Sequence, residues 1–540
     1  MKTFLFFVLT TAVLLSGCGD SQQADKEGPT LFLASSGQVS ARDSTPANAS
    51  YFAAARFLEQ ASWGPSPQSV AEVQRLGYSA WIDRQLAMPF SPLKAPSYVI
   101  DYDEQNRAAS DLAHGWSQLR FVDMALGGQD QLRQRMSWAL YGFIVANGNP
   151  YATVEYMNTL HQTALGSYKD TLKAVTLSPV MGTFLNNDQN QANRPNENFA
   201  RELMQLFSVG LVKLNQDGSI QRNSRGNPLE TYNQQDVVAA TKALTGWDKD
   251  WRENLPKSNW GNFGMPMKTR GWKESHDFSE KRLLGSVIPA GQSPEADLDS
   301  LLDILMAHPN MAPFVSRRLI QSLVTSNPSP QYLARVSQVF TKSNGHLGQV
   351  ARAILLDPEA RAGDNPTNQN KTVGKIKEPL LVSINVFRAL GCTSSIIGSK
   401  NPNNPIMFGN QAIYNAPTVF GYFSPDHKAP ESLIPAPEQT LLTSNSFNGV
   451  AGSLTWQLDN PEPFLNAGCD LALFREAAKT SDEHLLQLVN MRFFKGAMPQ
   501  PLREGAKNLF SQVLNTQSPD QKVGQLISIL ITTPTYGVVK

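Results

Sequence analysis

Serine standing directly before proline, ahead of a run with apolar residues at helical spacing, recurs in this chain and commits it to helices. Ser66-Pro67 precedes SVAEVQRL, and Gly77 closes that stretch. Ser329-Pro330 precedes QYLARVSQVF, whose Leu333, Val336, Val339 and Phe340 fall on one helical face. A serine hydroxyl accepts from the first-turn amides, and proline has no amide to leave unpaired at the first helical position. Glycine tolerates the backbone conformation that ends a helix. Ser79 opens AWIDRQLAM. Further helical stretches are Gln131–Ala146, Val154–Leu165, Glu197–Val209, Gln234–Thr245, Ala296–Ala307, Ala312–Val324, Gln349–Leu356 and Gly374–Leu390. Alternating strand patterns are scarce. One hairpin is expected where Leu211–Leu214 meets Asp217-Gly218 and then Ser219–Gln221. The expected fold is mainly α: a large multi-helix domain with long irregular loops and at most a short β-hairpin.

The N-terminus reads as an export signal. Lys2 supplies its positive charge, and Phe4–Leu15 is an apolar run far shorter than the roughly 20 residues of a spanning helix. Leu15-Ser16-Gly17-Cys18 then has the small residues and the thiol that lipoprotein processing needs, so cleavage before Cys18 and its lipidation are expected. Residues 1–17 are therefore the signal peptide. Residues 18–50 are a lipidated cysteine and a flexible tether poor in large apolar side chains, and 51–540 is the helical domain. Gly19 stands where aspartate would hold such a protein at the inner membrane, so the expectation is an exported protein anchored in the cell envelope, at the outer membrane more than the inner.

Charge excludes one partner class. With 47 basic and 46 acidic residues the net charge is +1, and no basic block offers the face that binding to nucleic acid requires. Beyond Cys18 only Cys392 and Cys469 remain; an oxidising compartment allows them a disulfide, and two buried thiols are the alternative. The chain lacks a phosphate-binding Gly-rich loop ending in Lys-Ser/Thr, a G-x-S-x-G elbow, H-E-x-x-H and paired C-x-x-C. The segment around Asp217 imitates part of a calcium loop, but Lys213 and Ser224 occupy its end positions. No cofactor or metal is assigned.

Two long irregular segments interrupt the helices: Trp247–Gly285, with Trp247, Trp251, Trp260 and Trp272, and Asn401–Glu438, with Tyr422, Phe423, Asp426 and His427. Exposed tryptophan faces stack on sugar rings, which would make the first loop a glycan-binding surface. The candidate polar centre is Glu197 and Glu202 on one helix, Asp236 at the start of another, and the His276-Asp277 pair. Carboxylates beside an imidazole can act as acid, base or ligand. Each also has a local explanation: Glu197 as the partner of Arg201 one turn on, Asp236 as a first-turn acid, and His276-Asp277 as a loop-fixing turn.

Several blocks, in order, carry a family likeness. They are AARFLEQASWGPSPQSVAEVQRLGYSAWIDRQL, RPNENFARELMQLFSVG, YNQQDVVAATKALTGW, HDFSEKRLLG, HPNMAPFVSRRLIQSLVTSNPSPQYLARVSQVF, GHLGQVARAILLDPEAR, KIKEPLL and APTVFGYFSPDHKAP. On these the chain resembles the bacterial family of domain of unknown function 1800 (DUF1800), from about Ala54 to the final ILITTPTYG. Members often carry histidine where this chain has Phe207. The resemblance implies an exported protein and, as partner, a co-encoded exported protein of the DUF1501 family; it assigns no reaction and no catalytic residue. Two functions from different classes follow. One is a non-catalytic envelope protein that binds a glycan or a protein partner. The other is an exported hydrolase of polysaccharide or of a phosphate or sulfate ester, centred on Glu197, Glu202, Asp236, His276 and Asp277.

Overall fold

The computed structural model describes residues 49–93, 107–148, 150–250, 263–271, 275–367, 373–394, 411–431, 434–443, 452 and 468–539. Cys18, Trp251, Trp260 and Trp272 lie outside the described residues.

Local capping places the helices. Ser66 accepts from the Ser69 amide, Ser69 returns a bond to the Ser66 amide, and the helix Pro67–Leu76 ends at Gly77 with φ of +77°. Ser329 accepts from the Tyr332 amide to start Pro330–Lys342. Asn233 and Asp236 cap Gln234–Ala243 reciprocally. Three helical expectations are shortened: Gln131–Ala146 ends at Tyr141, Glu197–Val209 covers only Asn198–Gln205, and in Gly374–Leu390 the residues Lys375–Ile376 are a strand, so the helix begins only at Pro379. Proline disfavours the helical conformation in the residue before it, and Glu378 is accordingly extended.

The result is mainly α, and among the described residues the β structure consists of small two-stranded antiparallel sheets and isolated bridges. Trp247–Asp248 pairs with Lys268–Thr269, Lys281–Leu283 with Ser286–Ile288, and Lys375–Ile376 with Val538–Val539. Three of these strands, Trp247–Asp248, Lys268–Thr269 and Lys281–Leu283, lie in the Trp247–Gly285 segment expected to be irregular. The 211–221 hairpin also forms: Leu214 bridges Ile220 around a turn in which Gly218 has φ of +77°.

Packing is continuous along the chain. Tyr51–Ala61 packs on Pro67–Leu76, Gln131–Tyr141 on Pro150–Thr163 and on Met311–Leu323, and Met311–Leu323 on Pro330–Lys342. Near the end, Leu471–Thr480 packs on Asp482–Phe494 and Pro519–Ile531. One buried hydrophobic cluster runs through all of them, from Ala54 to Tyr536. Chain ends are tied to it by charge as well: Glu59 of the first helix meets Lys377 at 2.8 Å and Lys495 at 2.9 Å. No helix among the described residues is long and apolar enough to cross a membrane.

Candidate functional site

The five polar residues expected to converge divide into separate groups, most of them engaged in holding loops. His276 points inward. Its Nε2 lies 3.0 Å from Asp297 Oδ2, and its Nδ1 faces the Thr245 carbonyl at 2.9 Å. Lys281 Nζ reaches the same Asp297 oxygen at 2.5 Å. Asp277 does not join the imidazole: its carboxylate accepts from the Ser279 amide and hydroxyl. Burial opposes ionisation of Asp277, but those bonds and the nearby Lys242 and Lys281 outweigh it and hold the carboxyl below its usual range. Asp236 accepts from the Asn233 amide and, at 2.7 Å, from the Leu284 amide. Together these contacts pin the 275–288 segment between the helices Gln234–Ala243 and Pro294–Ala307.

Glu197 sits at the surface, 2.9 Å from Arg201 and bonded to the Gln234 amide group. Glu202 differs from the other four. Its Oε2 is buried without a hydrogen-bond partner, as is the Tyr232 hydroxyl, and burial pushes the Glu202 carboxyl up. Among the described residues no three histidine, cysteine or acidic side chains are grouped to hold a metal.

The tryptophan surface is corrected at the one position described. Trp247 is 3% exposed, in a strand, with its ring against the core, so no face is free to stack on a sugar. Phe207, at the position read as a departure from the family pattern, is fully buried near Phe199. In the second loop, Tyr422 stacks on Trp138 with ring centroids 5.8 Å apart, and Asp426 lies 3.6 Å from Arg318. Behind them is a cavity of about 50 Å³ where Lys375 pairs with Glu438 at 2.9 Å. Glu378 there accepts from Trp138 and from Gln411. These buried charges answer one another, as an internal scaffold requires.

The larger opening was not anticipated from sequence. A cleft of about 630 Å³ is bounded by the start of Pro67–Leu76, the end of Tyr78–Ala87, the 126–131 connection and the 388–393 segment. That volume lies within the usual range for small-ligand sites. Its rim carries Gln68, Arg75 and Gln129, all exposed, and Ser66 and Ser69. Gln85 and Gln131 stiffen the wall: Gln85 bonds the Gln129 carbonyl and the Leu132 amide, and Gln131 bonds the Gly128 carbonyl. Cys392, bonded to Cys469, borders the cleft.

Arg388 forms the floor. It is 4% exposed, donating from Nε to the Gly64 carbonyl at 2.7 Å and from Nη1 to the Ala125 and Leu126 carbonyls at 2.9 and 3.2 Å. Gly64 also admits the Asn385 side chain beside this bond. Its φ is +113°, and a Cβ there would lie 2.5 Å from the Asn385 side chain. Sequence reasoning missed Arg388 because a cation in the last turn of a helix already has a local reason, the helix dipole. The available signal was a lone charged residue in the largely apolar run PLLVSINVFRA.

Residues 56–538 match the model of a protein family described as Protein of unknown function (DUF1800). No curated protein and no solved structure matches the chain.

Proposed function

The chain belongs to the DUF1800 family, and we propose that it is an exported, lipid-anchored protein of the cell envelope that binds a glycan without transforming it. The observation that carries this reading is the 630 Å³ cleft, with side-chain amides and hydroxyls at its rim and an arginine at its floor. Sugars are recognised by such groups, which bond ring hydroxyls while a rigid wall fixes orientation. The anchor follows from the Cys18 signal, which would hold the cleft near envelope material. A co-encoded DUF1501 protein is the proposed protein partner.

Full-length protein in detergent should melt higher with one of three short oligosaccharides, maltotriose, chitotriose or trigalacturonate. A ligand at a hundred times its dissociation constant adds about 2.7 kcal/mol. Gln129→Trp, which fills the cleft from an exposed position, should erase the shift. No shift with any of the three, or a shift that survives Gln129→Trp, would overturn the reading.

The hydrolase alternative keeps one specific support, the Glu202 carboxyl raised by burial and set beside Tyr232. Such a group can donate a proton. Release of reducing sugar, inorganic phosphate or sulfate that disappears in Glu202→Gln would favour it.

A further inference from the structure

We infer that the cleft selects an acidic sugar, a uronic acid whose carboxylate docks on the Nη2 edge of Arg388; this rests on the glycan-binding reading above.

Several buried cations of this protein are answered by acids. Lys281 faces Asp297, Lys375 faces Glu438 and Lys377 faces Glu59. Arg388 is as deeply placed, yet like Arg133 and Arg135 it bonds only backbone carbonyls among the described residues, and of these three it alone lines the cleft. Two of its nitrogens are used in that way. Nη2 donates to no described group, which leaves it free for a ligand in the cleft that Arg388 lines. A buried guanidinium without a counter-charge is costly, and an incoming carboxylate removes that cost. Burial has already pushed the Arg388 guanidinium down to about 10, so it stays charged at neutral pH and its field is unanswered.

The rim has the same sign. Arg75 is exposed, lines the cleft and forms no ion pair among the described residues. Glu72, the acid in the lining, is neutralised by Arg84. The cleft is thus cationic at floor and rim, with hydroxyl-bonding groups between. That combination fits a sugar bearing a carboxylate better than a neutral one. A charge-assisted hydrogen bond contributes more than a neutral one, enough for at least about tenfold discrimination.

The test compares trigalacturonate with its trimethyl ester, the same sugar with its charge removed, by calorimetric titration of the full-length protein in detergent. The acid should bind at least about tenfold more tightly, and its affinity should fall with added salt. Arg75→Gln should weaken the acid several-fold more than the ester and so narrow the preference. Arg388→Gln should abolish the preference. Should that variant fail to fold because its carbonyl bonds are lost, the ester comparison and Arg75→Gln still decide. Equal affinity for acid and ester overturns the acidic-sugar inference and leaves glycan binding standing. Binding of neither overturns the acidic-sugar inference, and the melting shifts with maltotriose and chitotriose then decide the glycan-binding reading on their own.

Discussion

Nε2 of His276 lies 3.0 Å from Oδ2 of Asp297, with the two side chains 1% and 0% exposed. Lys281 closes the group from the other side. This is a bracket between a loop and a helix, 21 residues apart in sequence. Asp297→Ala leaves the Lys281 ammonium buried without a counter-charge and should cost about 3–5 kcal/mol. Chemical denaturation reads that loss. Oligosaccharide affinity of the folded fraction should stay at the wild-type value, since the bracket lines no part of the cleft. A near-native midpoint in Asp297→Ala would sink the bracket.

Acid sensitivity should centre on Glu59. Burial alone would raise its carboxyl, but Lys377 and Lys495 outweigh burial and hold it at about 2. Lys377 is itself pushed down by burial, which Glu59 offsets only in part. The acid slope from this cluster belongs to the Glu59 carboxyl. A depressed carboxyl stabilises fully above its unfolded value and loses that contribution as pH falls through the folded one. Between about pH 4.5 and 2, stability should drop by roughly 3 kcal/mol from this group. Glu59→Gln should show a shallower acid slope in urea melts, at the expense of lower stability at neutral pH. An unchanged slope would refute the assignment.

The bond between Cys392 and Cys469 spans 77 residues. A closed loop of that length restricts the unfolded chain by roughly 4 kcal/mol. Reductant should therefore lower the thermal midpoint of the native protein and leave the double variant Cys392→Ser, Cys469→Ser unmoved. Two freely alkylated thiols in peptides mapped without reduction would show the bond is not made.

Cys18→Ser should abolish incorporation of labelled palmitate and leave the protein in its uncleaved form. Labelled fatty acid on that variant would remove the lipid anchor and, with it, the proposed placement in the envelope.

Helix starts were written locally. Ser66 with Ser69, Ser329 with Tyr332 and Asn233 with Asp236 are partners three residues apart, so a reader of the sequence meets donor and acceptor together. Capping and apolar spacing act within one or two turns, and the mainly α fold follows from them. Even the start of Pro379–Ala389 was legible in principle, since proline itself marks it.

Side-chain partnership was not written locally. His276 and Asp277 are adjacent in sequence, yet the imidazole turns to Asp297 while Asp277 turns to Ser279. The loop packs so that one side chain enters the core and the next faces outward, and only the fold selects which. Trp247 looked available for stacking because aromatic content says nothing about burial; its place in a strand beside the core decides it. Arg388 is the extreme case. Its bond to the Gly64 carbonyl crosses 324 residues, and its remaining nitrogen gains meaning only from the cleft that distant helices enclose. What the sequence determined by itself was where helices begin, because those forces act over a few residues. Which charged groups are paired inside, and which line the cleft, was decided by tertiary structure, because burial and counter-charge depend on neighbours brought together only by the folded chain.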